Sequence, residues 1–139
     1  MKSIWPTHST ERRYRIIDIS KRLKRNDGGL ARLRLSSEHI DDDLLKLVCD
    51  GLAGNTTLQQ LLLLHNMVTD EGVKRLSKTV RRHPSLHTLW LGGNMISDQG
   101  VYHLSELLRK NQSIRDLNLS NKWPELRWEK TGEGKCLSF

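Results

Sequence analysis

The feature that most constrains this chain is a repeat. Written in lines of 28 residues from Leu30, it reads LARLRLSSEHIDDDLLKLVCDGLAGNTT, then LQQLLLLHNMVTDEGVKRLSKTVRRHPS, then LHTLWLGGNMISDQGVYHLSELLRKNQS. A fourth line begins IRDLNLSN and then departs. Seven columns are aliphatic in all three full lines: Leu30/Leu58/Leu86, Leu33/Leu61/Leu89, Leu35/Leu63/Leu91, Ile40/Val68/Ile96, Leu45/Val73/Val101, Val48/Leu76/Leu104 and Leu52/Val80/Leu108. The fourth line keeps Ile114, Leu117 and Leu119, and its next column is Pro124, where the pattern stops.

The hydrophobic period changes inside each line. Leu33 and Leu35 are two apart, so both side chains leave one face of a strand. Leu45, Val48 and Leu52 are three and four apart, which is a helical stripe. Each unit is therefore a short strand, a turn and a helix. Asp41, Thr69 and Ser97 precede the helical stripes and are expected as N-caps, offering an oxygen to the first free N–H groups. Asn66 and Asn94 follow the strands, where an amide can bond the turning backbone; Glu38 and Lys122 hold that column in the first and fourth lines. One unit cannot bury enough apolar surface alone, and stacking of neighbours supplies the rest. Three full units are about the minimum for such an array.

These residues resemble the leucine-rich-repeat family, in particular its ribonuclease-inhibitor-type subfamily with NOD-like-receptor-like repeats. The matched pattern is LxxLxLxxN followed by a Gly-Val-x-x-Leu helix, as in Gly72-Val73-Lys74-Arg75-Leu76 and Gly100-Val101-Tyr102-His103-Leu104. The resemblance covers about residues 30–121. It implies an α/β fold, a short right-handed solenoid with parallel strands on its concave face and helices on its convex face. It also implies that a protein partner is read by the strand-lined face.

Composition agrees with an array more than with a globule: hydrophobic content is 36%, with one Phe. Two cysteines, Cys49 and Cys136, make no disulfide framework. Cys49 aligns with Ser77 and Ser105 and is expected as a small helix-packing residue. The N-terminus has no apolar run of the signal-peptide kind, and Leu61 to Leu64 is the longest apolar stretch, so the expected setting is cytoplasmic. The sequons at Asn55, Asn111 and Asn118 are then expected to stay unglycosylated. The formal charge of +7 is unevenly placed. Residues 1–35 hold ten Lys/Arg against three acids, and residues 36–139 hold 13 of each.

The expected organisation is an N-terminal basic helix and cap over residues 1–29, repeats over 30–121, and a tail over 122–139. In the cap, residues 10–25 read as a helix, with Ile16, Ile19 and Leu23 on one face and Thr10 as N-cap. The tail is expected to be largely disordered past Trp128, with Trp123, Leu126 and Trp128 folding back over the open edge of the last strand, an edge that otherwise invites association. Because the pattern stops mid-repeat, the chain reads as a truncated relative of a longer protein. Its last residues, Cys136-Leu137-Ser138-Phe139, formally match a prenylation box, but Ser138 stands where an aliphatic residue is usual, and lipidation is not expected.

The outward strand positions form the candidate site. One column is Arg32, Gln60, Thr88, Asp116; the next is Arg34, Leu62, Trp90, Asn118; the third is Ser36, Leu64, Gly92, Ser120. Adjacent strands lie about 4.8 Å apart, so Leu62, Leu64 and Trp90 are expected to make one apolar spot, with Trp90 as an anchor. Arg32 and Arg34 stand at one end and Asp116 at the other. The expected function is a protein–protein interaction module whose partner is acidic near the first strand and apolar over the middle. One alternative is regulation of a small GTPase, by likeness to the Ran GTPase-activating protein, which acts with a much longer array. Another is anion or nucleic-acid binding by the basic N-terminal segment, although only Tyr14 interleaves with its cations. No catalytic set, metal-ligand spacing or phosphate loop emerges, so neither enzyme activity nor a cofactor is expected. His65 is placed to approach Trp90, without a nucleophile or carboxylate beside it.

Overall fold

The computed structural model describes residues 8–119, together with the strand backbones of 127–131 and 134–138. Helix α1 (His8–Lys24) comes first, followed by strict alternation: β1 (Arg32–Arg34), α2 (Asp42–Leu52), β2 (Gln60–Leu62), α3 (Asp70–Thr79), β3 (Thr88–Trp90), α4 (Asp98–Lys110) and β4 (Asp116–Asn118). Strands β1 to β4 pair in parallel, each residue with the one 28 positions on, as in Leu33↔Leu61, Leu61↔Leu89 and Leu89↔Leu117. The expected α/β solenoid and its period are therefore seen in space.

The aliphatic columns fill the space between sheet and helices. All are buried except Ile96 and Val101, which pack against the core with part of their surface exposed. Both belong to the third unit, which no further helix follows among the described residues. Helix α1 covers the opposite end through Ile16 and Leu23, with Ile19 half-buried beside them. It approaches α2 so closely that a Cβ on Gly51 would lie 2.7 Å from the Ser20 carbonyl oxygen. The same column holds Thr79 and Leu107 in the later units; glycine is needed where a backbone, and not a side chain, is the neighbour. An Arg15–Glu38 ion pair of 2.8 Å also ties α1 to the turn after β1. Thr10 lies inside α1, not at its cap.

The turns are stitched by side chains that cross between units. Asn66 Oδ1 accepts from the Glu38 and Ile40 N–H groups, each at 3.0 Å, while its amide donates to the Leu35 carbonyl at 2.9 Å. Asn94 repeats this one unit later, accepting from Val68 N–H and donating to Leu63 and Leu91 carbonyls. The expected amide role is thus right, but its reach extends into the preceding unit.

Asp41, Thr69 and Ser97 do occupy the N-caps. Only Asp41 makes the expected cap bond, to Leu44 N–H at 2.9 Å. The Thr69 and Ser97 hydroxyls instead donate to the carboxylates of Asp42 and Asp70, one unit back. Those carboxylates also accept from Thr69 N–H, and from Ser97 and Gly100 N–H. A Cβ on Gly72 or Gly100 would lie 2.2 or 2.5 Å from the same aspartate oxygens. The glycine of the Gly-Val-x-x-Leu pattern therefore leaves room for the previous unit's carboxylate. The first unit has Leu44 in that column and no repeat before it.

Past the repeats, the structure departs from the expected disorder. Strands β5 (Arg127–Thr131) and β6 (Gly134–Ser138) continue the sheet in antiparallel fashion, with Leu117↔Trp128 in register. The physical reason is the open edge of β4, whose N–H and C=O groups are satisfied by a paired strand. The fold-back of the Trp128 segment is thus seen, while Ser120, Lys122, Trp123, Leu126 and Phe139 lie outside the described residues, as do residues 1–7.

Candidate functional site

The strand face forms an open trough of about 720 Å³. Its floor follows the predicted columns: Arg32↔Gln60↔Thr88↔Asp116 and Arg34↔Leu62↔Trp90↔Asn118 are the observed registers. Alternation explains why these side chains face outward, since Leu33, Leu61, Leu89 and Leu117 between them are buried.

Arg32 and Arg34 are exposed at the β1 end, and neither is in an ion pair among the described residues. Leu62 and Trp90 are half-buried neighbours at the centre. Leu64 is half-buried but lies two residues beyond β2 and does not line the trough. The central apolar spot is therefore Leu62 with Trp90. Thr88 is buried, which withdraws most of its surface from the floor.

Asp116 does more than mark the far end. Its Oδ2 accepts from Trp90 Nε1 at 3.1 Å, a diagonal bond between β3 and β4 that fixes the indole over the floor. The repeat lines place these residues in neighbouring columns, but no one-dimensional signal announces the bond, because it depends on the indole rotamer. Glu38, also missed as a lining residue, joins the trough at the β1 end and is held there by Arg15. The result is a channel with free cations at one end, an apolar centre, and a carboxylate engaged by the indole at the other.

His65 lies in the turn after β2. It has a left-handed φ of 54°, in the same column as Ser37 (58°) and Gly93 (71°). Its ring packs where a Gly93 Cβ would stand, 2.2 Å from Nδ1, so it belongs to the turn between units. Cys49 is buried, and burial pushes its thiol up to about 11, so it is a packing residue and a poor nucleophile. Among the described residues no group of His, Cys, Asp or Glu is arranged to hold a metal ion, and no helix is long and apolar enough to cross a membrane.

No protein-family model matches the chain, and no curated protein matches it by sequence. Solved structures do match by shape. A structure described as leiomodin-1 actin-binding site 2 superposes with a TM-score of 0.71 at 20% identity, over 76% of this chain and 61% of that one. The tropomodulin C-terminal domain from Caenorhabditis elegans superposes at 0.60 and 12% identity, over 78% of this chain and 83% of that one. This chain thus spans less than two thirds of the leiomodin-1 structure. At such identities the likeness is one of fold: a short α/β solenoid of leucine-rich-repeat type, with parallel strands on one face and helices on the other.

Proposed function

We propose that this chain is a ribonuclease-inhibitor-type leucine-rich-repeat module that binds a protein partner along its strand face and carries out no chemistry of its own. The observation that carries this reading is the held indole. Trp90 is half-buried beside Leu62, and its ring nitrogen is bonded to Asp116. A tryptophan already ordered before contact loses little further freedom on binding, and large aromatic anchors dominate interface energetics. Arg32 and Arg34 then meet acidic groups of the partner, which also speed encounter.

The matching region of leiomodin-1 is described as an actin-binding site of that protein, which makes actin the first partner to assay. Binding of the full chain to actin, and to proteins captured on it, is compared between the wild type and Trp90→Ala. The expected loss is about thirtyfold or more in affinity, the range of an aromatic hot spot. Asp116→Ala, which frees the indole without removing it, is expected to weaken binding less. Unchanged affinity in a folded Trp90→Ala variant rejects the strand face as the site.

A further inference from the structure

The loops that lead from each helix into the next strand gather cations away from the strand face. Arg81 and Arg82 after α3, Lys110 at the end of α4 and Arg115 at the entry to β4 line one cleft of about 620 Å³. Among the described residues no Asp or Glu lines it, and none of the four is in an ion pair. Arg81 and Arg82 also border the adjoining cleft, where Lys78 joins them.

Folding does not require these charges. Basic residues in the last turn of a helix offset its dipole, which accounts for Lys78 and Lys110. Yet α2 ends without a base in its last turn, and the first unit has Ala53, Gly54 and Gln59 where the later units have Arg81, Arg82 or Lys110, and Arg115. Arg81, Arg82 and Arg115 also lie beyond the helix ends. The loop is closed by other groups: the Ser113 hydroxyl lies 2.7 Å from both the His83 and the Leu86 carbonyl oxygens, which share its one proton, and Ser85 Oγ donates to the Thr56 carbonyl at 2.7 Å.

We propose that this cleft binds a compact, multiply phosphorylated small molecule, with Arg81, Arg82, Lys110 and Arg115 as its phosphate contacts. Four cations from two loops around one volume repel one another until a polyanion sits among them. Guanidinium groups match phosphate oxygens in pairs. The volume lies within the range of small-ligand sites, about 300–1,000 Å³. Among the described residues no Trp, Tyr or Phe lines the cleft to stack a base, which disfavours a nucleic-acid strand. The inference is independent of the strand-face reading, because the two surfaces share no residue.

Calorimetric titration of the full chain with inositol hexakisphosphate and with pyrophosphate, against sulfate at matched ionic strength, tests this. One saturable site per chain is expected for inositol hexakisphosphate, weakened about tenfold or more in an Arg82→Ala/Arg115→Ala variant, since each charge-assisted bond is substantial. Both side chains are exposed, so the variant is expected to keep the wild-type thermal transition. An Arg13→Ala/Lys21→Ala variant, altered on exposed positions of α1, is expected to bind like the wild type. The proposal is overturned if no saturable binding occurs, if sulfate binds equally well, if the α1 variant loses as much affinity, or if single-stranded RNA binds the same residues more tightly.

Discussion

Where strands turn into helices the solenoid carries acids, and where helices turn into strands it carries bases, but the two edges use their charges differently. All the repeat helices run the same way, so their N-termini collect on one edge and their C-termini on the other, and the dipoles favour opposite charges at the two. On the first edge, the carboxylates of Asp42 and Asp70 are bonded to the backbone and hydroxyl groups of the next unit. These bonds, the Ser97 hydroxyl foremost, hold the Asp70 carboxyl below the usual carboxylate range. On the second edge, Asn55 and Asn111 satisfy carbonyls of the preceding segment, Leu23 and Val80, at 2.9 Å. Arg81, Arg82, Lys110 and Arg115 there are in no ion pair among the described residues. A short side chain that reaches the neighbouring backbone becomes part of the stack; a long one stays available to a ligand.

Five substitutions test that contrast. The largest effect is expected for Asn66→Ala, which strands the Glu38 and Ile40 N–H groups and the Leu35 carbonyl in a turn. Buried groups left unpaired cost about 1–3 kcal/mol each, so urea denaturation is expected to show a loss of about 3 kcal/mol or more. Arg82→Ala on the other edge is expected to change stability by less than about 0.5 kcal/mol, as exposed substitutions do. Similar costs for the two would break the comparison.

A middle effect is expected from Gly72→Ala. The new methyl meets the Asp42 carboxylate, and displacing it costs about 1–3 kcal/mol as overpacking. Gly54→Ala, on the opposite edge with nothing within 4 Å of its Cβ, is expected to be neutral or to stabilise by up to about 1 kcal/mol. Thermal unfolding of the pair separates them.

The smallest effect concerns pH. His83 stands in the column of Asn55 and Asn111. Its Nδ1 accepts from Ser85 and Leu86 N–H at 3.2 and 3.0 Å, which places the proton on Nε2, facing Asn55 Oδ1 at 3.0 Å. Burial lowers its pKa from the ordinary 6.5. The unfolded chain therefore takes up this proton first, and the contribution of His83 is complete above pH 6.5 and lost as pH falls from there through the lowered folded value. Asp70 obeys the same rule in another window, its contribution being complete above 3.8 and lost as pH falls below it. His83→Asn is expected to flatten the dependence of unfolding free energy between pH 7 and 5 while leaving the loss below pH 4. An unchanged slope between pH 7 and 5 would remove His83 from the account.

The strand face was largely legible in advance because the period itself sets the register: residues 28 apart must become neighbours. Arg32, Arg34, Leu62, Trp90 and Asp116 all line the trough. The basic cleft was not legible. Residues 36–139 hold equal numbers of acids and bases, and a count along the chain cancels charges that the parallel helices separate to opposite edges.

Sequence alone determined the period, the phase of strand and helix within it, and the inward columns, because each follows from side-chain spacing within one unit. Tertiary structure decided what lies between units. Trp90 finds Asp116, the Asp42 carboxylate occupies the place of a Gly72 side chain, and His83 substitutes for an asparagine. It also decided that the backbone after the repeats adds β5 and β6 to the sheet. The contacts between units join residues about 26 to 30 positions apart, where rotamer and close approach choose the partner and local spacing carries no record of the choice.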